Sequence, residues 1–357
     1  MDVADFDFEL PDALIAQDPP PVRGGSRLLV LRRDGGETVH TAFSQLADYL
    51  VAGDLLVLNN TRVFPARLLG RRMPSGGGVE CLLLREIPDP KSQITNPKSG
   101  VWEALVHPGQ KLKPGAQVIF EGPGVAIRGE MLASHFFGRR TVRLEAEGAP
   151  LAEAIDRIGH IPLPPYIHRD DQPADRERYQ TVFARERGSI AAPTAGLHFT
   201  PDLLDTLRAR RVETAEVTLH VGYGTFKPVR VERVEDHQVD PERFSVSADT
   251  AAALTRARRE GRRIIAVGTT TVRTLESLVI EADGSVAPAS GDATLFIHPG
   301  HTFRLVDGLV TNFHLPKSSL LMLVCAFAGR ERVLTAYHDA VARGYRFYSY
   351  GDAMVIL

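Results

Sequence analysis

Cysteine is nearly missing from this chain of 357 residues: there are two, Cys81 and Cys325, far apart and each inside an apolar run. Two such thiols make neither a disulfide framework nor a Cys-x-x-Cys metal or redox site, which leaves buried, reduced thiols of a cytosolic protein. Lysine is scarce too, with six residues among the 42 basic side chains. The arginines suit bidentate phosphate binding, although a genome-wide codon preference would give the same ratio. The formal charge of −2 excludes a global pull toward nucleic acid and leaves any RNA contact to a local patch. Long hydrophobic runs are absent: the longest, Leu320 to Ala328, falls far short of the ~20 residues of a membrane span. The acidic start, Met1-Asp2-Val3-Ala4-Asp5-Phe6, lacks the basic-then-apolar order of a signal peptide. A cytoplasmic protein without membrane contact is expected.

What is there suffices for two or three domains, each with its own core. Short buried strands are expected at 26–31, 55–58, 214–221, 264–267 and 295–297. They alternate with helices at 10–16, 43–50 (Ser44 as cap), 176–184, 201–211, 248–260, 270–280, 320–328 and 332–342. Thr200-Pro201 and Ser247 are strong helix starts, a hydroxyl cap followed in the first case by Pro at the first helical position. Such alternation argues an α/β domain. Between 63 and 147 there are only short strands, separated by turns rich in Gly and Pro, as in a small barrel or sandwich. The expected architecture is mixed α/β: an α/β catalytic domain at 1–62 and 148–357, interrupted by an inserted β-barrel domain at 63–147. The polar loop from Pro88 to Gly100 is expected to decorate the barrel without touching chemistry.

Five stretches could carry chemistry. From Gly188 to Phe226, Gly and Thr let backbone amides approach a ligand closely, and Thr194, Gly196, His198, His220, Gly222 and Gly224 would form a pocket floor. Each imidazole there could equally be the satisfied partner of a turn. Gly268-Thr269-Thr270-Thr271-Val272-Arg273 follows a buried strand and opens a helix, whose free amides bind carboxylate or phosphate. Arg273 could fork onto the same anion, or the threonines could merely cap the helix. Asp236-His237 with Glu242 reads as a tuned acid/base group or as a solvated acidic loop. Thr311 to Ser319 places His314 and Lys317 at another helix start. Tyr348-Ser349-Tyr350-Gly351-Asp352 could hold a base or a cation, or close the core. The four histidines lack metal-ligand spacing, so no metal is expected.

Together these segments resemble the S-adenosylmethionine:tRNA ribosyltransferase-isomerase family of queuosine biosynthesis. The resemblance rests on Asp5-Phe6-Asp7-Phe8-Glu9-Leu10-Pro11, Ser26-Arg27-Leu28, Asn59-Asn60-Thr61-Arg62-Val63 and Gly159-His160-Ile161-Pro162-Leu163-Pro164-Pro165-Tyr166-Ile167. It continues through Ala191-Ala192-Pro193-Thr194-Ala195-Gly196-Leu197-His198-Phe199-Thr200, Gly268 to Arg273, Thr311-Asn312-Phe313-His314-Leu315-Pro316 and Tyr350-Gly351-Asp352-Ala353-Met354, so it covers nearly the whole chain. It departs where the family carries Met and His and this chain has Val239 and Asp240. The resemblance implies a β-barrel inserted in an α/β domain. It implies transfer and isomerisation of the ribosyl part of S-adenosylmethionine onto 7-aminomethyl-7-deazaguanine at the tRNA wobble position, giving epoxyqueuosine-tRNA, adenine and methionine. S-adenosylmethionine is then a consumed substrate, no cofactor is needed, and the expected enzyme is a monomer acting on tRNA.

For that reaction His198, His220, His237 and His314 are the proton-transfer candidates, with Asp236 or Glu242 orienting one of them. Thr269, Thr270, Thr271 and Arg273 are expected on the methionine carboxylate. Arg27, Arg62, Arg67, Lys111 and Lys113 are expected on phosphates, with the target base turned out of its stack. A non-catalytic tRNA-binding relative and a metal-dependent nucleic-acid hydrolase are the rival readings.

Overall fold

Leu55-Leu56-Val57-Leu58-Asn59 is apolar until its last residue, as a strand covered on both faces must be. It forms β3 (Leu55–Asn59), buried throughout, in the computed structural model, which describes residues 1–88 and 96–357. The chain divides into two units, one made of Met1–Arg62, Pro164–Arg169 and Glu177–Leu357, the other of Val63–Leu163 and Asp170–Arg176.

In the first unit β3 belongs to a sheet with β1 (Arg27–Leu31), β2 (Val39–Ala42), β12 (Glu213–Leu219), β13 (Glu242–Val246), β14 (Ile264–Val267), β15 (Ala289–Ala293), β16 (Gly308–Asn312) and β17 (Ala353–Ile356). The order among the described residues is β15-β13-β12-β3-β14-β16-β17-β1-β2. β12, β3, β14 and β16 are parallel neighbours; β17 runs antiparallel to β16, and β2, β13 and β15 are antiparallel additions toward the edges. β4 (Thr61–Val63) and β11 (Glu186–Ser189) form a separate ladder.

Side chains alternate across a strand, so each central strand feeds two cores. Leu55, Val57, Ile264, Ala266 and Leu309 pack with α4 (Ala248–Arg259), α5 (Thr269–Glu276), α6 (Ser319–Ala328) and α7 (Arg330–Ala342). Leu56, Leu58, Ile265, Val267 and Val310 pack with α3 (Pro201–Ala209) and the 3-10 segment Phe43–Asp48. The helix starts read from the sequence hold: Thr200 Oγ1 accepts from Leu203 N (3.1 Å) and Ser247 Oγ from Thr250 N (3.2 Å).

Other expectations change. Phe43–Asp48 is 3-10 with Ala42 at its N-cap, not an α-helix capped by Ser44, and residues 10–16 hold only the 3-10 turn Asp12–Leu14. The helix expected at 176–184 shrinks to α2 (Asp175–Arg178). Residues 295–297 form no strand, because the Leu295 carbonyl accepts from Arg273 Nε (3.1 Å) instead of a neighbouring strand.

The second unit is a closed barrel, which decides between barrel and sandwich. Its strands are β5 (Arg67–Met73), β6 (Gly78–Ile87), β7 (Ser99–His107), β8 (Gln117–Gly122), β9 (Val125–Ser134) and β10 (Arg139–Glu147), closing in the order β10-β7-β6-β5-β8-β9. The unit begins at Val63 and includes α1 (Leu151–Ile158), which packs on the barrel. A Cβ at Gly122 of β8 would stand 2.3 Å from Ile158 Cγ2, so the contact needs glycine. Of the loop expected from Pro88 to Gly100, residues 89–95 lie outside the described residues, and Ser99 and Gly100 already belong to β7. Both cysteines are free and buried. Among the described residues no helix is long and apolar enough to cross a membrane.

Candidate active site

β12, β3, β14 and β16 end side by side, and each delivers a polar residue or a glycine: His220 after β12, Asn59, Gly268 after β14, and Asn312. Ligands of open α/β sheets collect at such carboxyl ends. A small cleft opens there. Gly268, Thr269, Thr270, Thr194, Thr225, Thr311, Asn312, His314, Tyr166 and Tyr348 line it, with Ala191, Ala192 and Ala195.

Gly268 has φ +92° and ψ 149°, a conformation essentially reserved for glycine, and supplies no side-chain cap to α5. Val272 N bonds back to the Gly268 carbonyl (3.2 Å), which leaves the preceding amides at the helix start for a ligand. Thr269 and Thr270 line the cleft; Thr271 does not, because its hydroxyl donates to the Val267 carbonyl (2.7 Å) inside the core. Asn59 ties the strand ends together, donating to the Leu219 carbonyl (3.0 Å) and accepting from Leu219 N (3.1 Å). Tyr348, at φ +73°, is one of three non-glycine residues at positive φ among the described residues. Backbone strain of that kind gathers at functional sites.

The sequence reading put Arg273 on a substrate carboxylate and Glu242 beside an imidazole. The structure joins them to each other instead. Arg273 Nη1 donates to Glu242 Oε2 (2.6 Å), while Nη2 and Nε donate to the carbonyls of Ala293 (3.0 Å) and Leu295 (3.1 Å). The other Glu242 oxygen accepts from Gly222 N (2.8 Å) and Thr225 Oγ1 (3.0 Å). The buried pair therefore pins the turn that carries Gly222 and Gly224 and delivers Thr225 to the cleft. Gly224 is required for packing, since a Cβ there would stand 2.7 Å from Asp240. Gly196 is likewise a packing residue, against Thr181 and Phe183.

The four histidines do not share one pocket. His314 lines the cleft, with Nε2 2.9 Å from Thr311 Oγ1, and burial pushes its imidazole down to about 3. His198 is buried between Ser26 Oγ (2.6 Å) and Asn312 Nδ2 (3.0 Å), and burial pushes it down to about 4. His220 contacts Thr61 Oγ1 (2.8 Å) and lines a different, polar cleft with Asn60, Arg185 and Arg243; burial lowers its pKa. His237 sets its ring edge-on to Phe296 (5.0 Å), also lowered by burial, and Asp236 is exposed. Among the described residues no three His, Cys, Asp or Glu side chains converge as metal ligands.

The profile of the family described as queuosine biosynthesis protein matches residues 3–356 of this chain. The chain belongs to that family. It is 51% identical over 357 residues, all of both chains, to the S-adenosylmethionine:tRNA ribosyltransferase-isomerase of Desulfitobacterium hafniense. It is 52% identical to the protein of that name from Nitratidesulfovibrio vulgaris, over 98% of this chain and 96% of the relative. A crystal structure described as S-adenosylmethionine tRNA ribosyltransferase, from Thermotoga maritima, is 38% identical, covers 99% of this chain and 100% of its own, and superposes with a TM-score of 0.54.

The basic residues expected to face RNA in this queuosine-family chain fall into two groups. Arg27 clasps Asp352 with Nε (3.1 Å) and Nη2 (2.8 Å) and lies over the Tyr345 ring (4.0 Å), so its fork is already committed. Arg67 is likewise clasped by Glu80 (2.9 and 3.1 Å). Arg62, Lys111 and Lys113 are exposed. Sequence reasoning passed over Tyr166 and Asn312, which sat inside quoted stretches but carry no titratable group at neutral pH. Position was a signal for Asn59, which ends a strand legible in the sequence, but not for Asn312, which ends β16.

Proposed function

We propose that this chain performs the reaction named for its relatives: it transfers and isomerises the ribosyl part of S-adenosylmethionine onto 7-aminomethyl-7-deazaguanine at the tRNA wobble position. Epoxyqueuosine-tRNA, adenine and methionine leave. The observation that carries this is the cleft at the carboxyl ends of the parallel strands, which sets an uncapped helix start beside two tyrosine rings. The methionine carboxylate sits at the α5 amides with the hydroxyls of Thr269 and Thr270, where the helix dipole favours an anion. Tyr166 and Tyr348, with ring centroids 3.8 Å apart, offer the aromatic surface for the nucleoside. His314 is our choice of proton acceptor, because of the four histidines it is the one that lines the cleft. Arg62, Lys111 and Lys113 serve as phosphate contacts. Incubation with S-adenosylmethionine and precursor-bearing tRNA should release adenine only when both substrates are present; no adenine overturns the reading. His314→Gln should lower kcat by on the order of 10²–10⁴ while S-adenosylmethionine still binds; near-normal kcat would exclude His314 as the base.

A further inference from the structure

Asn312 ends β16, is 2% exposed and lines the cleft. Both of its amide hydrogens have partners: Nδ2 donates to the Tyr348 carbonyl (3.1 Å) and to His198 Nε2 (3.0 Å). Turning the amide over would set Oδ1 against the Tyr348 carbonyl, one acceptor facing another, so that carbonyl fixes its orientation. The His198 tautomer follows. Nε2 accepts from Asn312, the ring proton lies on Nδ1, and Nδ1 donates to Ser26 Oγ (2.6 Å). The Phe43 ring covers the imidazole with centroids 5.0 Å apart. At the end of this relay Asn312 Oδ1 is buried and has no partner among the described residues. A buried amide oxygen without a donor is costly, and here every other bond of the side chain holds it in place.

We propose that Asn312 Oδ1 accepts a hydrogen bond from the nucleoside of S-adenosylmethionine, and that His198 is a positioning residue that holds this acceptor through the Ser26–His198–Asn312 relay. The inference rests on the reaction proposed above. The ligand group must be a donor, which excludes the methionine carboxylate, and the ammonium next to that carboxylate goes with it to the α5 start. The adenine 6-amino group and the ribose hydroxyls qualify, and Tyr348, which lines the same cleft, offers a ring for a purine whose amine turns toward the acceptor. In this role His198 must stay neutral, since a proton on Nε2 would oppose the Asn312 donor. Burial, which holds the imidazole near 4, keeps it so at neutral pH.

The test uses the full chain, S-adenosylmethionine and precursor-bearing tRNA, with adenine release as the readout. Asn312→Leu should raise KM for S-adenosylmethionine on the order of tenfold to a hundredfold and leave KM for tRNA alone. His198→Leu should do the same, and His198→Gln, whose side-chain carbonyl can accept from Asn312 Nδ2, should regain most of the loss with an unchanged pH profile. Analogues carrying a 6-oxo purine or lacking a ribose hydroxyl identify the donor: the wild type should discriminate against one of them by tenfold or more, and Asn312→Leu should not. A wild type that treats both analogues like S-adenosylmethionine overturns the inference even if the variants fail to fold. So does a His198→Gln enzyme with normal KM and kcat reduced a hundredfold, which would make His198 a proton carrier. A wild type that releases no adenine removes the underlying reaction, and this inference with it.

Discussion

The Glu242–Arg273 pair shows how partner choice decides a residue's role. Removing one partner of a buried ion pair strands the other charge, which typically costs about 3–5 kcal/mol, whereas removing both costs far less. Glu242→Gln or Arg273→Met should therefore each lower the denaturant midpoint strongly, and the double variant by less than the sum. Additive losses would mean that the two do not act together. Neither role was legible in the sequence, because the pairing spans 31 positions and an arginine beside a helix start looks the same whether it faces a ligand or a carboxylate. The histidines carry a pH prediction. His198 and His314 fold with pKa values of about 4 and about 3, below the unfolded value of ~6.5. Between those values the unfolded chain binds the protons and the folded chain does not. Their stabilisation is complete above pH ~6.5 and is lost as pH falls toward 4 and then 3, at up to about 1.4 kcal/mol per pH unit for each imidazole. Replacing His198 with Gln should flatten the slope of stability against pH above pH ~4; an unchanged slope would mean that the imidazole charges freely in the fold.

At the scale of elements, two helix starts were read correctly because their signal is local. Thr200-Pro201 and Ser247 start helices because their hydroxyls cap the next turn, and that chemistry lies within four residues. Thr200→Ala should cost about 1 kcal/mol of stability without changing KM for S-adenosylmethionine, since α3 packs on the sheet face away from α5. β16 and β17 were not foreseen: they are buried runs of five and four residues whose identity as strands comes from pairing in the sheet. Residues 295–297 erred in the other direction, an apolar run whose carbonyl bonds a guanidinium. Gly268 is the element-scale hinge of the site. A Cβ there would meet only ordinary contacts, at 3.7 Å or more, so Gly268→Ala acts through backbone strain alone. That strain should cost about 1–3 kcal/mol and, by shifting the α5 start, weaken S-adenosylmethionine. Loss of stability with unchanged KM would detach the α5 amides from the substrate.

For the whole molecule, the inserted β-only unit was legible from residue 63 onward, where helical spacing stops and turns crowd the chain. Its far boundary was not, because α1 is an amphipathic helix like those of the α/β unit and only its packing on β8, β9 and β10 assigns it to the barrel. With a formal charge of −2 the chain has no long-range attraction for RNA, so tRNA affinity must come from few contacts. Replacing Lys111 and Lys113 with Ala should weaken tRNA binding at low salt and reduce the slope of log affinity against log salt by roughly 1 to 2. An unchanged slope would place the phosphates elsewhere. The central claim, that the ribosyl group moves from S-adenosylmethionine to a tRNA base, is tested most directly by labelling that ribose and following the label. The account predicts one labelled wobble nucleoside per adenine and per methionine released. Label left in S-adenosylhomocysteine, with a methyl group on the tRNA, would contradict it.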